Sequence, residues 1–210
     1  MSKLQDVENA VVSGKSKLVA GLVQEALDEG CSAPDILNGM INAMGIVGER
    51  FKKNEIFVPE MLVAARAMKK GVDVLQPHLA SGSAGVCGKA IIGTVAGDLH
   101  DIGKNLVAMM IESAGFEVID LGVDVPVEKF IETVKANPDV KIVGCSALLT
   151  TTMPALKSTV EALNAEDFRS HIKVMVGGAP ITQEFANEIG ADAYTPDAAS
   201  AAQKAKELVA

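Results

Sequence analysis

The stretch KAIIGTVAGDLHDIG, residues 89–103, joins an apolar segment to a polar loop that carries an aspartate and a histidine. Its first part, 89–95, is mostly apolar, which is typical of a buried strand in a parallel sheet. Asp98 and His100 follow in the loop, and a helical pattern begins near Gly103. The order strand, loop, helix is one unit of an α/β fold, so the loop is expected at the carboxyl end of the strand.

The same alternation continues to the end of the chain. Further strands are predicted at 116–120, 140–145, 172–176 and 192–194, and helices at 103–114, 126–136, 153–164, 181–189 and 197–208. These units predict a Rossmann-like or flavodoxin-like, doubly wound sheet of five parallel strands in the order 2-1-3-4-5. Such sheets bind ligands where the strand order reverses, which here is between strands 1 and 3.

The N-terminal part of the chain has a helical pattern instead. Apolar residues recur at helical spacing over 15–28, Ser32 is a predicted N-cap for a helix that reaches about Phe51, and Pro59 opens another helix. A short helix over the first residues, with Leu4, would complete a four-helix bundle. The segment 77–88 is rich in Gly, Ser and Ala, as linkers are. The predicted organisation is a helical cap domain at 1–76, a linker at 77–88 and an α/β domain at 89–210.

Composition excludes several classes of protein. Hydrophobic residues make up 49% of the 210 residues, which indicates a globular chain. The net charge of −8 argues against a nucleic-acid partner, and no apolar run approaches the length of a membrane span. The N-terminus has no secretory leader, and Cys31, Cys87 and Cys145 are far apart in sequence without metal-site spacing. We therefore expect a cytoplasmic protein.

Two more loops complete a specific pattern. Ser146-Ala-Leu148 follows strand 3, and Gly177-Gly178 follows strand 4. The motif Asp-x-His-x-x-Gly, then 42 residues, Ser-x-Leu, 28 residues and Gly-Gly, resembles the cobalamin-binding domain of methionine synthase and corrinoid methyltransferases. The segments 44–51 (MGIVGERF) and 57–62 (FVPEML) resemble the helical domain that precedes it in corrinoid methyltransferases. The resemblance covers nearly the whole chain and is to the free-standing corrinoid proteins of three-component methyltransferase systems.

This resemblance implies roles for the loop after strand 1. The cofactor, cobalamin or a related corrinoid, would bind with its own nucleotide base off cobalt, and His100 would replace that base as the lower axial ligand. Asp98 would accept the proton of the other ring nitrogen, and Thr152 would extend this relay. Thr152 could instead be only the N-cap of the next helix. Asp101 and Ile102 belong to the same cofactor-binding loop, with Asp101 also the preferred helix cap.

The remaining cofactor contacts are implied by the same resemblance. Gly103 would let the chain turn close to the corrin edge. In the slot for the displaced nucleotide tail, Ser146 would hydrogen-bond the base and Leu148 would pack against it. Gly177 and Gly178 would leave room for the tail, and Tyr194 would lie at the border. Thr150 is a further predicted cofactor contact, although Ser146 and Thr150 could instead be only N-caps. The Gly-Gly pair could also be a plain strand-to-helix turn. From the helical domain, Met44, Phe51 and Val58 would cover the upper, methyl-bearing face, with Val58 standing where methionine synthase has a leucine.

The function implied is that of a methyl carrier. Such a protein accepts a methyl group on cobalt from a substrate-specific methyltransferase and passes it to a second methyltransferase, whose acceptor is tetrahydrofolate or a thiol. It is a non-autonomous subunit, and a reductive activating protein is a further implied partner. Two alternatives stay open at this point: a corrinoid-dependent regulator, and the cobamide-binding subunit of a mutase. The donor and acceptor are not encoded in the motifs.

Overall fold

The structure, a computed structural model, describes residues 2–79 and 87–210. It contains two compact units, one helical and one α/β, joined through the segment after residue 79. Within the described ranges, no helix is both long enough and apolar enough to cross a membrane.

The helical unit consists of four helices and a short 3-10 turn. The helices are α1 (Lys3–Val12), α2 (Ser16–Asp28), α3 (Ala33–Lys52) and α4 (Val58–Leu75), and the turn is Gln76–His78. The predicted N-cap is confirmed, because the Ser32 hydroxyl accepts a hydrogen bond from the Asp35 N–H at 3.2 Å. Pro59 lies in the first turn of α4, where its missing N–H removes no helical hydrogen bond.

The interior of the helical unit is made of aliphatic residues and methionines. Helix α2 packs on α4, and α1 packs on α3. Met40, Met44, Met61 and Met68, which recur at helical spacing, are all buried. Of the predicted linker, residues 80–86 lie outside the described part of the chain, and Gly88 is the first residue of the following strand.

The α/β unit has the predicted architecture. Its strands are β1 (Gly88–Val95), β2 (Phe116–Val125), β3 (Val140–Ser146), β4 (Lys173–Gly177) and β5 (Ala193–Tyr194). Its helices are α5 (Ile102–Ser113), α6 (Val127–Ala136), α7 (Met153–Asn164), α8 (Gln183–Glu188) and α9 (Ala198–Val209). All strand pairs are parallel, and the order β2-β1-β3-β4-β5 is the predicted one. The strand order therefore reverses between β1 and β3, whose carboxyl ends meet at one edge of the sheet.

Two boundaries differ from the prediction in ways that concern this edge. Strand β2 continues to Val125, five residues beyond its predicted end, with register shifts against β1 around Gly93. Helix α5 begins at Ile102, so Gly103 lies inside the first helical turn. Gly103 does not have a positive φ, and its predicted place close to the corrin edge stays a prediction.

Candidate functional site

The loop after β1 begins with a tight turn. The Asp98 N–H donates to the Val95 carbonyl at 3.2 Å, and Gly97 inside this turn has a φ of +79°. Glycine adopts this left-handed conformation without steric cost, which explains its place here. The turn directs the Asp98 side chain inward, and the residue is fully buried.

Four donors surround the Asp98 carboxylate. One oxygen, Oδ1, accepts the backbone N–H of His100 at 3.1 Å and lies 2.7 Å from Nδ1 of the His100 ring. The other, Oδ2, accepts the backbone N–H of Leu148 and the hydroxyl of Thr152, both at 2.7 Å. A carboxylate has about four lone-pair sites, so Asp98 is saturated. It ties the loop after β1 to the loop after β3.

These contacts fix the ionisation state of Asp98. Burial alone would raise the pKa of this carboxyl, but the hydrogen bonds from Leu148, Thr152 and His100 outweigh it and hold the pKa well below its usual range. Because Asp98 is a carboxylate without a proton to donate, Nδ1 of His100 must carry the proton between them. In the neutral imidazole, Nε2 then has a free lone pair, which is what a metal ligand requires.

The imidazole of His100 is fixed through Nδ1 and its backbone, and its side chain is 50% exposed. The fully buried hydroxyl of Thr94, in β1, donates to the His100 carbonyl at 2.9 Å and so fixes the backbone below the ring. Within residues 2–79 and 87–210, Nε2 makes no hydrogen bond. Thr94 was not identified from the sequence, although a polar residue in an otherwise apolar strand was a usable signal.

Thr152 serves as an Asp98 partner more than as a helix cap. It occupies the position before α7, yet its side chain makes no capping bond to that helix. Its hydroxyl lies 2.7 Å from Asp98 Oδ2 and 3.0 Å from the Leu149 carbonyl, two acceptors for one proton. The geometry places Thr152 at the end of a His100–Asp98–Thr152 series. The interpretation as a simple cap is wrong.

Strand β2 supplies contacts to both ends of this loop that sequence reasoning missed. At the near end, Gly97 N–H donates to Asp124 Oδ1 at 2.7 Å. At the far end, Lys104 in the first turn of α5 is buried, and its Nζ lies 2.5 and 2.6 Å from the two carboxylate oxygens of Asp120. Asp120 is the last residue of the predicted strand, whereas Asp124 lies in the part of β2 beyond its predicted end.

Large apolar side chains are exposed beside His100. Leu99 and Ile102 are 72% and 85% exposed, and Leu148 and Leu149 are 40% and 41% exposed. Ile102 and Leu148 were predicted site residues, whereas Leu99 and Leu149 were not. Exposed apolar side chains clustered at one edge usually mark a binding surface. These four belong to the loops after β1 and β3 and to the first turn of α5, at the edge that carries His100.

The predicted glycines differ in whether the protein itself has room for a side chain at their position. A Cβ on Gly178, which has a φ of +135°, would lie 1.8 Å from the Ala147 carbonyl oxygen, so the protein's own backbone demands glycine there. A Cβ on Gly177 would meet only the Thr195 carbonyl, at 3.7 Å, and one on Gly103 would meet nothing within 4 Å. Neither of these two has a positive φ, and glycine inside a helix costs about 1 kcal/mol relative to alanine. The open space in front of Gly103 suits close approach of a ligand, and at Gly177 a Cβ would make only an ordinary van der Waals contact.

The other predicted residues of the α/β unit lie at or near the same edge. Ser146 ends β3, where it pairs with Thr94 of β1 and Gly177 of β4. Thr150 is exposed in the turn before α7, and Tyr194 is half-buried in β5. Asp101 precedes α5 as predicted, but its carboxylate accepts from the side-chain amide of Asn105 at 3.1 Å, not from a backbone N–H.

The predicted covering residues belong to the helical unit. Met44 is buried in α3, Phe51 is half-buried near the end of the same helix, and Val58 is 39% exposed at the start of α4. Phe57, just before α4, is 64% exposed and was not predicted. Their role over a cofactor stays a prediction.

Comparison with known proteins agrees with this arrangement. Residues 88–204 match a family model described as a B12 binding domain, and residues 4–76 match a second model with the same description. The chain is 45% identical over 209 residues to a dimethylamine corrinoid protein of Methanosarcina barkeri, with 99% of this chain and 97% of the relative covered.

Two solved structures are similar over 99% of the chain. One is a cobalamin-binding protein from Desulfitobacterium hafniense, 32% identical, with a TM-score of 0.83 and 98% of that chain covered. The other is the methanol:cobalamin methyltransferase complex of Methanosarcina barkeri, 27% identical, with a TM-score of 0.84 and 79% of that chain covered. The family models together span most of both units, and the relatives match the chain nearly end to end. The chain belongs to the B12-binding family of corrinoid proteins.

Proposed function

We propose that this protein is the methyl carrier of a corrinoid-dependent methyltransferase system. The cobalt of the bound corrinoid supplies the chemistry, because it takes up and gives away the methyl group. The protein's own residues hold the corrinoid, orient an axial ligand and keep water from the metal. The relatives are named for dimethylamine and methanol systems. That range fits a carrier whose methyl donor is selected by its partner enzyme.

The observation that carries the proposal is the contact between the half-exposed ring of His100 and the buried carboxylate of Asp98, whose Oδ1 lies 2.7 Å from Nδ1. Since the hydrogen bonds to Asp98 hold the pKa of its carboxyl well below its usual range, we infer that the proton resides on Nδ1 and that Nε2 keeps its lone pair. Imidazole nitrogen is a suitable ligand for a first-row transition metal such as cobalt. We infer that His100 is the lower axial ligand and that Asp98 and Thr152 set its orientation and basicity.

The surroundings of His100 fit the rest of the corrinoid. Leu99, Ile102, Leu148 and Leu149 offer apolar contact for the macrocycle. Gly103 and Gly177 leave room for the corrin edge and the nucleotide tail, with Ser146 beside Gly177 at the end of β3. We propose that the nucleotide base leaves cobalt and occupies this slot, with Thr150 and Tyr194 near its border.

The partners follow from the carrier role. One methyltransferase would load the protein and a second would unload it, with tetrahydrofolate or a thiol as the final acceptor. A reductive activating protein would restore cobalt after accidental oxidation. We also propose a cytoplasmic location, since the thiols of Cys31 and Cys145 are free, as expected in a reducing compartment.

The test is the visible spectrum of the protein reconstituted with hydroxocobalamin. The wild type should show the nucleotide base off cobalt and an imidazole in its place, and His100→Ala should lose the imidazole ligand while it still binds cobalamin. His171→Ala is the matched control, because this exposed histidine precedes the amino end of β4, at the opposite edge of the sheet. Absence of cobalamin binding by the wild type would refute the proposed function. An unchanged spectrum in His100→Ala would refute the axial role alone.

A further inference from the structure

The loop that carries His100 is fastened to the sheet by a residue with an unusual backbone. Asp124, near the end of β2, has a φ of +53°. Residues other than glycine adopt this left-handed conformation at a steric cost, and Asp and Asn do so most readily. A left-handed aspartate at a strand end therefore needs a compensating interaction.

Asp124 makes a reciprocal pair of hydrogen bonds with the turn after β1. Its Oδ1 accepts the Gly97 N–H at 2.7 Å, and its own N–H donates to the Asp98 carbonyl at 2.9 Å. The two hydrogen bonds hold the backbone of Gly97 and Asp98, which immediately precede Leu99 and His100. Because one acceptor is a carboxylate, the bond to Gly97 is of the stronger, charge-assisted kind.

The opposite end of the loop is already held by other means. The buried Lys104 ammonium contacts Asp120, and the Thr94 hydroxyl holds the His100 carbonyl. Without the Asp124 carboxylate, the Gly97 N–H loses its acceptor and backbone hydrogen bonds alone hold the turn, the bond from Asp98 N–H to the Val95 carbonyl among them, so the loop can shift more easily at Gly97. Any such shift moves Asp98 relative to its donors, and Asp98 is what fixes the orientation of the imidazole.

We propose that Asp124 is a positioning residue for the axial ligand, acting through the backbone of Gly97 and Asp98. This inference rests on the proposed function, in which His100 binds cobalt. In the described part of the chain, Asp124 makes hydrogen bonds to Gly97 and Asp98 and none to the imidazole of His100. It sets the register of the loop, so that Nε2 is presented at one fixed place and angle.

The test compares two substitutions that separate the effect of the left-handed backbone at position 124 from the effect of the side-chain hydrogen bond to Gly97. Asp124→Gly tolerates the left-handed φ but has no side-chain acceptor, whereas Asp124→Asn keeps both the acceptor and the tolerance. Glu117→Ala is the control, since it removes an exposed carboxylate from the amino end of the same strand. Amide hydrogen exchange is measured on the apo-protein at His100 and Leu148, whose N–H groups both donate to Asp98.

Asp124→Gly should accelerate exchange at these two amides about tenfold, with Asp124→Asn and Glu117→Ala near the wild type. With cobalamin bound and reduced to the Co(II) form, the electron paramagnetic resonance signal of Asp124→Gly should lose much of its axial-nitrogen splitting. Cobalamin affinity should change less than the ligated fraction, and Asp124→Asn should restore the splitting.

Unchanged exchange in Asp124→Gly would overturn the proposal, as would faster exchange with full nitrogen splitting, since Asp124 would then have only a structural role. Acceleration spread equally over the β3 and β4 amides would also count against it. A wild-type protein that binds cobalamin without nitrogen splitting would instead contradict the proposed function, and the exchange comparison on apo-protein is independent of that result.

Discussion

Replacement of Asp98 by asparagine tests the centre of the site with almost no change in shape. The carboxylate accepts from four donors: two groups of His100 on one oxygen, and Leu148 N–H with the Thr152 hydroxyl on the other. Asparagine has one oxygen and one NH₂ group. Its NH₂ group must therefore face either the donors of His100 or those of Leu148 and Thr152, and it cannot accept a hydrogen bond from them. In either orientation a backbone N–H, that of His100 or that of Leu148, loses its acceptor.

The better orientation keeps the oxygen toward Leu148, because the imidazole can adapt to the NH₂ group by changing tautomer. The His100 proton then moves from Nδ1 to Nε2, and the ring can no longer ligate a metal through Nε2. Hydrogen bonds to charged groups contribute about 1.5–3 kcal/mol each. Losing one at His100 N–H and weakening another should lower the free energy of unfolding of the apo-protein by about 3 kcal/mol.

Urea unfolding of the apo-protein gives the stability change, and the spectrum with hydroxocobalamin gives the axial ligand. Asp139→Asn is the control, because within residues 2–79 and 87–210 its exposed carboxylate pairs with Lys89 alone and should contribute less than about 1 kcal/mol. We expect Asp98→Asn to be destabilised and to resemble His100→Ala in its spectrum. A variant within about 1 kcal/mol of the wild type that keeps the imidazole ligand would refute the reasoning.

The free energy of unfolding of the wild type and that of Asp98→Asn should depend differently on pH. The pKa of Asp98 is lowered in the folded state, so its contribution to stability is fully present above the unfolded-state pKa of about 3.9. That contribution is lost as the pH falls from there toward the folded-state pKa. The stability difference between wild type and Asp98→Asn should therefore be constant near neutrality and narrow below about pH 4, as measured by urea unfolding across that range. A gap that stays constant down to pH 3 would contradict the lowered pKa.

Three glycine substitutions give the remaining predictions. Gly178→Ala should destabilise the apo-protein by about 3 kcal/mol or more, because its Cβ would overlap the Ala147 carbonyl, whereas Gly177→Ala should leave apo stability nearly unchanged and weaken cobalamin binding. Thermal unfolding and cobalamin titration separate the two, and equal loss of stability would contradict the distinction. Gly103→Ala should raise apo stability by about 0.5–1 kcal/mol through helix propensity while it lowers cobalamin affinity, and unchanged affinity would show that no ligand approaches Gly103.

The sheet order and the element types were predictable because the strands are short apolar runs separated by clear turn signals. Where the prediction failed, the deciding interactions were long-range. The predicted end of β2 at residue 120 is five residues too early, and Gly122 and Asp124 in the unpredicted part both adopt a positive φ. The Asp124 carboxylate accepts there from the N–H of Gly97, 27 residues earlier. No local pattern encodes such a partner.

In the site too, local motifs were predictable from the sequence and long-range contacts were not. His100 and Asp98 stood out because a short motif contains both, and Thr152 was found only through resemblance, since 54 residues separate it from Asp98. Thr94 and Lys104 were missed because a threonine in a strand and a lysine in a helix have ordinary explanations. Their burial, and what their polar atoms contact, become visible only when the loop and the strands are assembled.

The arrangement would let the half-exposed His100 act as a well-defined ligand, as we propose. An exposed imidazole ordinarily samples several rotamers and both tautomers, and a metal would have to select one at a cost in binding free energy. Here the carboxylate of Asp98 selects the tautomer before any ligand arrives, and it is itself fixed by donors from the loop after β3. Exposure of the outer part of the imidazole then gives a metal access to Nε2, while buried residues fix the orientation and the tautomer of the ring. Preorganisation of this kind places the specificity of the site in Asp98 and Thr152 as much as in His100.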